Sequence, residues 1–265
     1  MQVRRYGESG PLVLVLHGGP GAPGSMAPVA RGLADRFRVI EPFQRASGGE
    51  PLTVARHVAD LRELVESLGE GERPALVGSS WGAMLALAFA AEHPDLAGPL
   101  ALVGCGTFDV DARARLQETL DARMDQELRR RLASLPDQRV GADEQLRARA
   151  ELILPLYSCE LASEEQELDD CDARANQETW DDMLRLQREG VYPAAFSAIR
   201  GPAIMLHGAA DPHPGRMILA SLKPHIPKLE YREWERCGHY PWLEGAVREE
   251  FFACLIAWLA PTAPE

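Results

Sequence analysis

Gly78-Ser79-Ser80-Trp81-Gly82 reads Gly-x-Ser-x-Gly, a spacing that can hold one hydroxyl at the tip of a sharp turn. A serine held there can attack a carbonyl carbon. It needs a base to take its proton and N–H donors to receive the developing oxyanion. The flanks suit that use: Pro74-Ala75-Leu76-Val77 is a short apolar run, and Ala83 to Ala91 is rich in Ala and Leu. Strand, turn and helix therefore follow in the required order. Gly78 and Gly82 leave room for backbones to approach, so Ser80 is the expected nucleophile, while Ser79 is expected to point elsewhere.

The remaining groups follow in the chain order Ser, Asp, His. Ala203-Ile204-Met205-Leu206 reads as a strand, and His207 to Asp211 as the loop after it, which puts Asp211 at the carboxyl edge of a sheet. Lys228 to Trp234 reads as another strand, with His239 in the loop before a helix from about Gly245 to Leu259. His239 is the expected base and Asp211 the group that holds its tautomer. Asp109, after the strand Leu100-Ala101-Leu102-Val103, is a rival acid. His57 and His93 fall in predicted helices, His225 in a Pro-flanked connector, and His213 is expected at the mouth of the site. Upstream, His17-Gly18-Gly19-Pro20-Gly21 follows the apolar run Leu12 to Leu16. Gly19 N–H is the expected partner of Trp81 N–H in an oxyanion hole, with Gly18 the alternative. His17 is expected to brace the loop.

These residues resemble an α/β-hydrolase-fold serine hydrolase, and more closely the proline iminopeptidase family. The likeness rests on His17 to Gly21, on Gly78 to Gly82, and on Gln44-Arg45-Ala46-Ser47-Gly48, which is similar to that family's Asp-Gln-Arg-Gly-x-Gly loop. Here Phe43 stands for the Asp and Ala46 for the first Gly. The resemblance spans roughly residues 10–105 and 200–260. It implies hydrolysis of a small-molecule ester or amide through an acyl-enzyme, with no cofactor and no metal. Family members that cleave N-terminal proline hold the substrate amine with acidic lid residues. Their usual Asn-His-Tyr motif after a Glu has no counterpart here. A carboxylesterase, a lactone or carbon–carbon bond hydrolase, and a non-catalytic binding protein on the same fold remain alternatives.

The elements that would position the site alternate between strand and helix, which predicts a mostly parallel central sheet with helices on both faces. Strands are expected near 2–6, 11–16, 36–41, 73–78, 98–104, 201–207 and 228–234, and a first substantial helix over 53–68. Residues 107–195 break the rhythm and predict an inserted helical lid, leaving 1–106 and 196–265 as the core. Within the lid, Leu116, Leu120, Met124, Leu128 and Leu132 recur every four residues and predict one amphipathic helix. Ser163-Glu164-Glu165-Gln166 matches a capping box. The acidic run from Glu164 to Asp172 is read as a solvated helix face rather than an amine site.

Lys and Arg number 28 against 40 Asp and Glu, a net charge of −12 that disfavours nucleic acid. The expected partner is a small-molecule substrate. No apolar run reaches bilayer length, and Met1 to Gly10 lacks a signal core, so no membrane association is expected. Five scattered cysteines without metal-ligand spacing fit reduced thiols in a cytoplasmic protein.

Overall fold

Apolar runs such as Leu12 to Leu16 and Leu100 to Val103 become the inner strands of one seven-stranded sheet, flanked by the more polar Val3 to Tyr6 and Glu230 to Trp234 at its edges. The computed structural model describes residues 1–69, 71, 73–137, 140–162 and 169–260. The strands are β1 (Val3–Tyr6), β2 (Leu12–Leu16), β3 (Arg38–Pro42), β4 (Ala75–Ser79), β5 (Leu100–Val103), β6 (Ala203–Gly208) and β7 (Glu230–Trp234). Their spatial order is β1-β3-β2-β4-β5-β6-β7. β1 runs antiparallel to β3, and every other pairing in the sheet is parallel. The four strands β2, β4, β5 and β6 are buried along their whole length, as parallel strands covered on both faces must be.

The helices are α1 (Ala27–Leu33), α2 (Val54–Ser67), α3 (Trp81–Glu92), α4 (Val110–Arg123), α5 (Gln126–Ser134), α6 (Ala142–Ile153), α7 (Ala173–Arg188), α8 (Gly215–Leu222) and α9 (Arg248–Leu259). The pleat sends Leu12, Leu14 and Leu16 to one face, into a core cluster that also holds Val58 and Leu61 of α2, Leu85 and Phe89 of α3 and Ile218 of α8. Val13 and Val15 point the other way, onto Val29 and Leu33 of α1 and Phe251 and Leu255 of α9. α1 escapes the periodicity reading because Ala27-Pro28-Val29-Ala30-Arg31-Gly32-Leu33 is short and carries a proline and a glycine.

The expected single helix through Leu116 and Leu132 is corrected to two. α4 ends where Met124 turns extended (ψ 120°), and the Asp125 carboxylate caps α5 by accepting from Leu128 N–H at 2.7 Å. A capping aspartate offers the backbone an alternative to the helical ladder, and here it wins over the apolar spacing. Between β5 and β6, α4 to α7 form a helical segment with little core of its own: α4 buries only Ala112 fully, and α5 and α6 bury no residue fully. The Ser163 capping box lies outside the described residues.

Candidate active site

Ser80 sits between β4 and α3 at φ 53°, ψ −116°, the one non-glycine residue with positive φ among the described residues. Such a conformation costs on the order of 1–3 kcal/mol and persists only where the surroundings enforce it. They do so here by crowding. A Cβ on Gly78 would lie 2.3 Å from Gly82 O, and one on Gly82 would lie 2.1 Å from Leu16 O. Both glycines of the motif are therefore steric requirements of the turn. Ser80 N–H donates to Val103 O at 2.8 Å, tying the elbow to the end of β5. Ser79 ends β4 and is buried.

Asp211 lies beyond β6 and His239 beyond β7, and the structure brings the two together. His239 Nδ1 is 2.6 Å from Asp211 Oδ2, with both side chains buried. With Asp211 ionised, Nδ1 carries the proton and Nε2 is left as an acceptor. His239 N–H donates to Tyr157 O at 2.7 Å, which fixes the loop. Gly104, at φ 53°, makes room for the ring: a Cβ there would lie 2.9 Å from His239 Nδ1. Ser80 and His239 line one cavity of about 460 Å³, together with Gly18, Gly19, Tyr157 and Trp180.

His213 belongs to the same cluster. Its N–H donates to Asp211 Oδ1 at 2.8 Å, its Nδ1 lies 3.0 Å from the same oxygen, and its ring stacks on His239 at 4.6 Å. His207 Nε2 donates to His213 O at 2.9 Å and stands 3.4 Å from Asp211 Oδ2. Burial works to raise the Asp211 pKa, but the imidazoles of His239, His213 and His207 hold it well below the usual carboxylate range. The sequence could not show this, because a histidine two residues past an aspartate reaches it only if the loop curls back.

The glycine loop runs against Ser80. A Cβ on Gly18 would come within 3.0 Å of Ser80 Cβ, and Gly19 adopts φ 45°. Trp81 opens α3, so its N–H has no acceptor inside the helix. His17 braces the loop: its Nδ1 donates to Gly18 O at 2.9 Å, and its Nε2 accepts from Gln44 N–H at 3.3 Å. Gln44 is a fastener the sequence motif pointed to without a role. Its Nε2 donates to His17 O at 3.0 Å and its Oε1 accepts from Trp81 Nε1 at 2.7 Å.

The rival acid Asp109 caps α4, accepting from Ala112 N–H at 2.7 Å. In the acidic run, Asp169 pairs with Arg4 at 2.7 Å, and Asp172 caps α7 while accepting from Ser47 N–H at 2.6 Å. Glu164, Glu165 and Glu167 lie outside the described residues. Cys237 is buried, and burial raises its thiol pKa, the opposite of what a thiolate nucleophile needs. Among the described residues, Asp211, His213 and His239 are the one cluster whose ligand atoms could converge on a metal. Asp211 already serves both imidazoles.

His17 and His57 are buried, and burial lowers each pKa from 6.5 to about 4. Below about pH 6.5 the unfolded chain binds these two protons and the folded chain does not. Stability is thus fully present above that pH and falls on acidification through this window, by about 2.7 kcal/mol per pH unit at its steepest for two protons. Urea unfolding between pH 7 and pH 4.5 should show that slope. A flat profile would mean the two rings are not buried as neutral groups.

The chain belongs to the alpha/beta hydrolase fold family, whose profile matches residues 11–246. It is 40% identical to the proline iminopeptidase of Neisseria gonorrhoeae over 101 residues, which are 35% of this chain and 32% of that protein. The chain thus spans about a third of the length of that curated relative. Among solved structures it is similar to E-2-(acetamidomethylene)succinate hydrolase, with a TM-score of 0.68 at 20% identity over 97% of this chain and 94% of the other. The enol-lactonase from Burkholderia xenovorans LB400 gives 0.63 at 19% identity over 97% and 95%. No helix among the described residues is long and apolar enough to cross a membrane.

Proposed function

We propose that the chain is a serine hydrolase that cleaves a small-molecule ester or amide through an acyl-enzyme. The observation that carries this reading is the strained Ser80 sharing one cavity with a His239–Asp211 pair at 2.6 Å. In this reading His239 Nε2 takes the Ser80 proton as Oγ attacks the carbonyl carbon. Trp81 and Gly19 N–H groups receive the oxyanion, and His239 returns the proton to the leaving group. Water, activated by the same imidazole, then releases the acid. The five cysteines are unpaired, which suits a reducing cytoplasm. An aminopeptidase would need a carboxylate for the substrate amine, and none of the described residues lining the cavity is acidic. That favours ester or amide substrates without a free amine.

A fluorophosphonate probe tests the chemistry directly. Wild type and Ser79→Ala should label stoichiometrically, and Ser80→Ala should not label. An unreactive wild type would favour a non-catalytic binding protein on this fold.

A further inference from the structure

The cavity around Ser80 holds two arginines, Arg113 from α4 and Arg149 from α6, and no Asp or Glu among its described lining. This is unexpected in a chain of net charge −12. Several other arginines of the same helical segment face carboxylates: Arg115 pairs with Glu118, Arg129 with Asp121, Arg174 with Glu178, and Arg185 with Asp182, while Arg123 and Arg147 donate to backbone carbonyls. Among the described residues, no carboxylate lies within 4.0 Å of Arg113 or Arg149.

Arg113 is half-buried, and its Nη2 donates to Gln187 Oε1, a neutral acceptor. Gln187 is itself oriented, because its Nε2 donates to Thr107 O at 3.1 Å. The guanidinium is thus held in place by an amide that supplies geometry without compensating charge. Burial works against the charged form of Arg113 and lowers its pKa. Asp109 attracts the guanidinium only from beyond ion-pair distance and Arg188 repels it, and a partly desolvated cation so placed is an unfavourable arrangement unless a ligand completes it. The planar fork of arginine matches a carboxylate through two parallel hydrogen bonds. Leu116, Leu146, Ile153 and Leu184 supply apolar wall beside it.

We infer that the substrate carries a carboxylate that Arg113 and Arg149 receive, with an apolar stretch between that carboxylate and the carbonyl presented to Ser80. The inference rests on the serine-hydrolase reading and names its substrate class: half-esters or half-amides of dicarboxylic acids. Arg113 is the buried contact. Arg149, exposed at the rim, draws the anion in.

The test compares two p-nitrophenyl esters of matched length, the monoester of adipic acid and the hexanoate. Wild type should prefer the adipate ester in kcat/KM by at least about tenfold, the scale of one charge-assisted contact. Arg113→Gln should collapse that preference, chiefly through KM, and Arg113→Lys should restore part of it. Hexanoate turnover with no adipate preference would overturn the carboxylate assignment while leaving the hydrolase intact. Calorimetric binding of adipate to wild type and to Arg113→Gln tests the anion site apart from turnover. Binding that the variant loses supports the site even without an active nucleophile, and equal or absent binding in both overturns it.

Discussion

Ser80→Ala is expected to reduce kcat by about 10⁴- to 10⁶-fold, with KM for a turned-over ester nearly unchanged. In the proposed mechanism the hydroxyl supplies the bond-forming atom, whereas the cavity walls and the N–H groups of Gly19 and Trp81 stay in place. The fold should not suffer, because alanine keeps the same Cβ at the same φ of 53°. Ser80→Gly separates chemistry from strain. It is equally inactive but removes the Cβ that resists this conformation, so it should be more stable than wild type by about 1 kcal/mol. Steady-state kinetics and urea unfolding of the two variants provide the check. Activity within tenfold of wild type in Ser80→Ala would sink the assignment and turn attention to Ser79, which lines the same cavity.

Asp211→Asn should cost about 10⁴-fold in kcat. In the wild type one carboxylate accepts from His239 Nδ1 at 2.6 Å and from His213 N–H at 2.8 Å. An asparagine offers one acceptor and one donor where two acceptors are needed. If its amide nitrogen faces His239, the ring moves its proton to Nε2 and can no longer take one from Ser80. The pH sign also follows. The Asp211 carboxyl is held well below the usual carboxylate range, so its stabilising contribution is complete above about pH 4 and is lost only as pH falls through the depressed value. Acidification from neutral pH should therefore not protonate Asp211 before the fold responds to its buried histidines. Kinetics of Asp211→Asn from pH 6 to pH 9 check the first claim, and a loss under tenfold would remove Asp211 from the proposed triad.

The strands were legible because a parallel strand covered on both faces has nowhere to put a polar side chain. Leu12 to Leu16 and Ala203 to Leu206 can hardly be read as anything else. The positions of Ser80 and Asp211 were legible for a related reason, since each follows such a strand; His239 follows β7, a half-exposed edge strand, and was picked out by the chain order Ser, Asp, His instead. Local chemistry that competes with periodicity was harder to see. Asp125 splits a leucine-spaced segment by capping, and α1 hides behind Pro28 and Gly32. Least legible was whatever depends on which way a surface helix is rolled. Arg113 and Arg115 are two residues apart on α4, yet one lines the cavity and the other meets Glu118 at the surface. His213 belongs with these, since its contact with Asp211 is a property of loop curvature.

Asp172 gives the helical segment an unusual relation to the core. Its carboxylate caps α7 and accepts from Ser47 N–H, and its own N–H donates to Gly21 O at 2.7 Å. Four residues on, Asn176 Nδ2 donates to Pro20 O at 2.7 Å. The same short stretch therefore starts a helix of the segment between β5 and β6 and fastens the glycine loop beside Ser80. That helical segment is thus not an interchangeable part. Transplanting a relative's segment between β5 and β6 would orphan the Ser47 amide and the carbonyls of Pro20 and Gly21 unless the donor brought equivalents of Asp172 and Asn176. Recombination across this boundary should tolerate exchanges that retain those two residues far better than exchanges that do not.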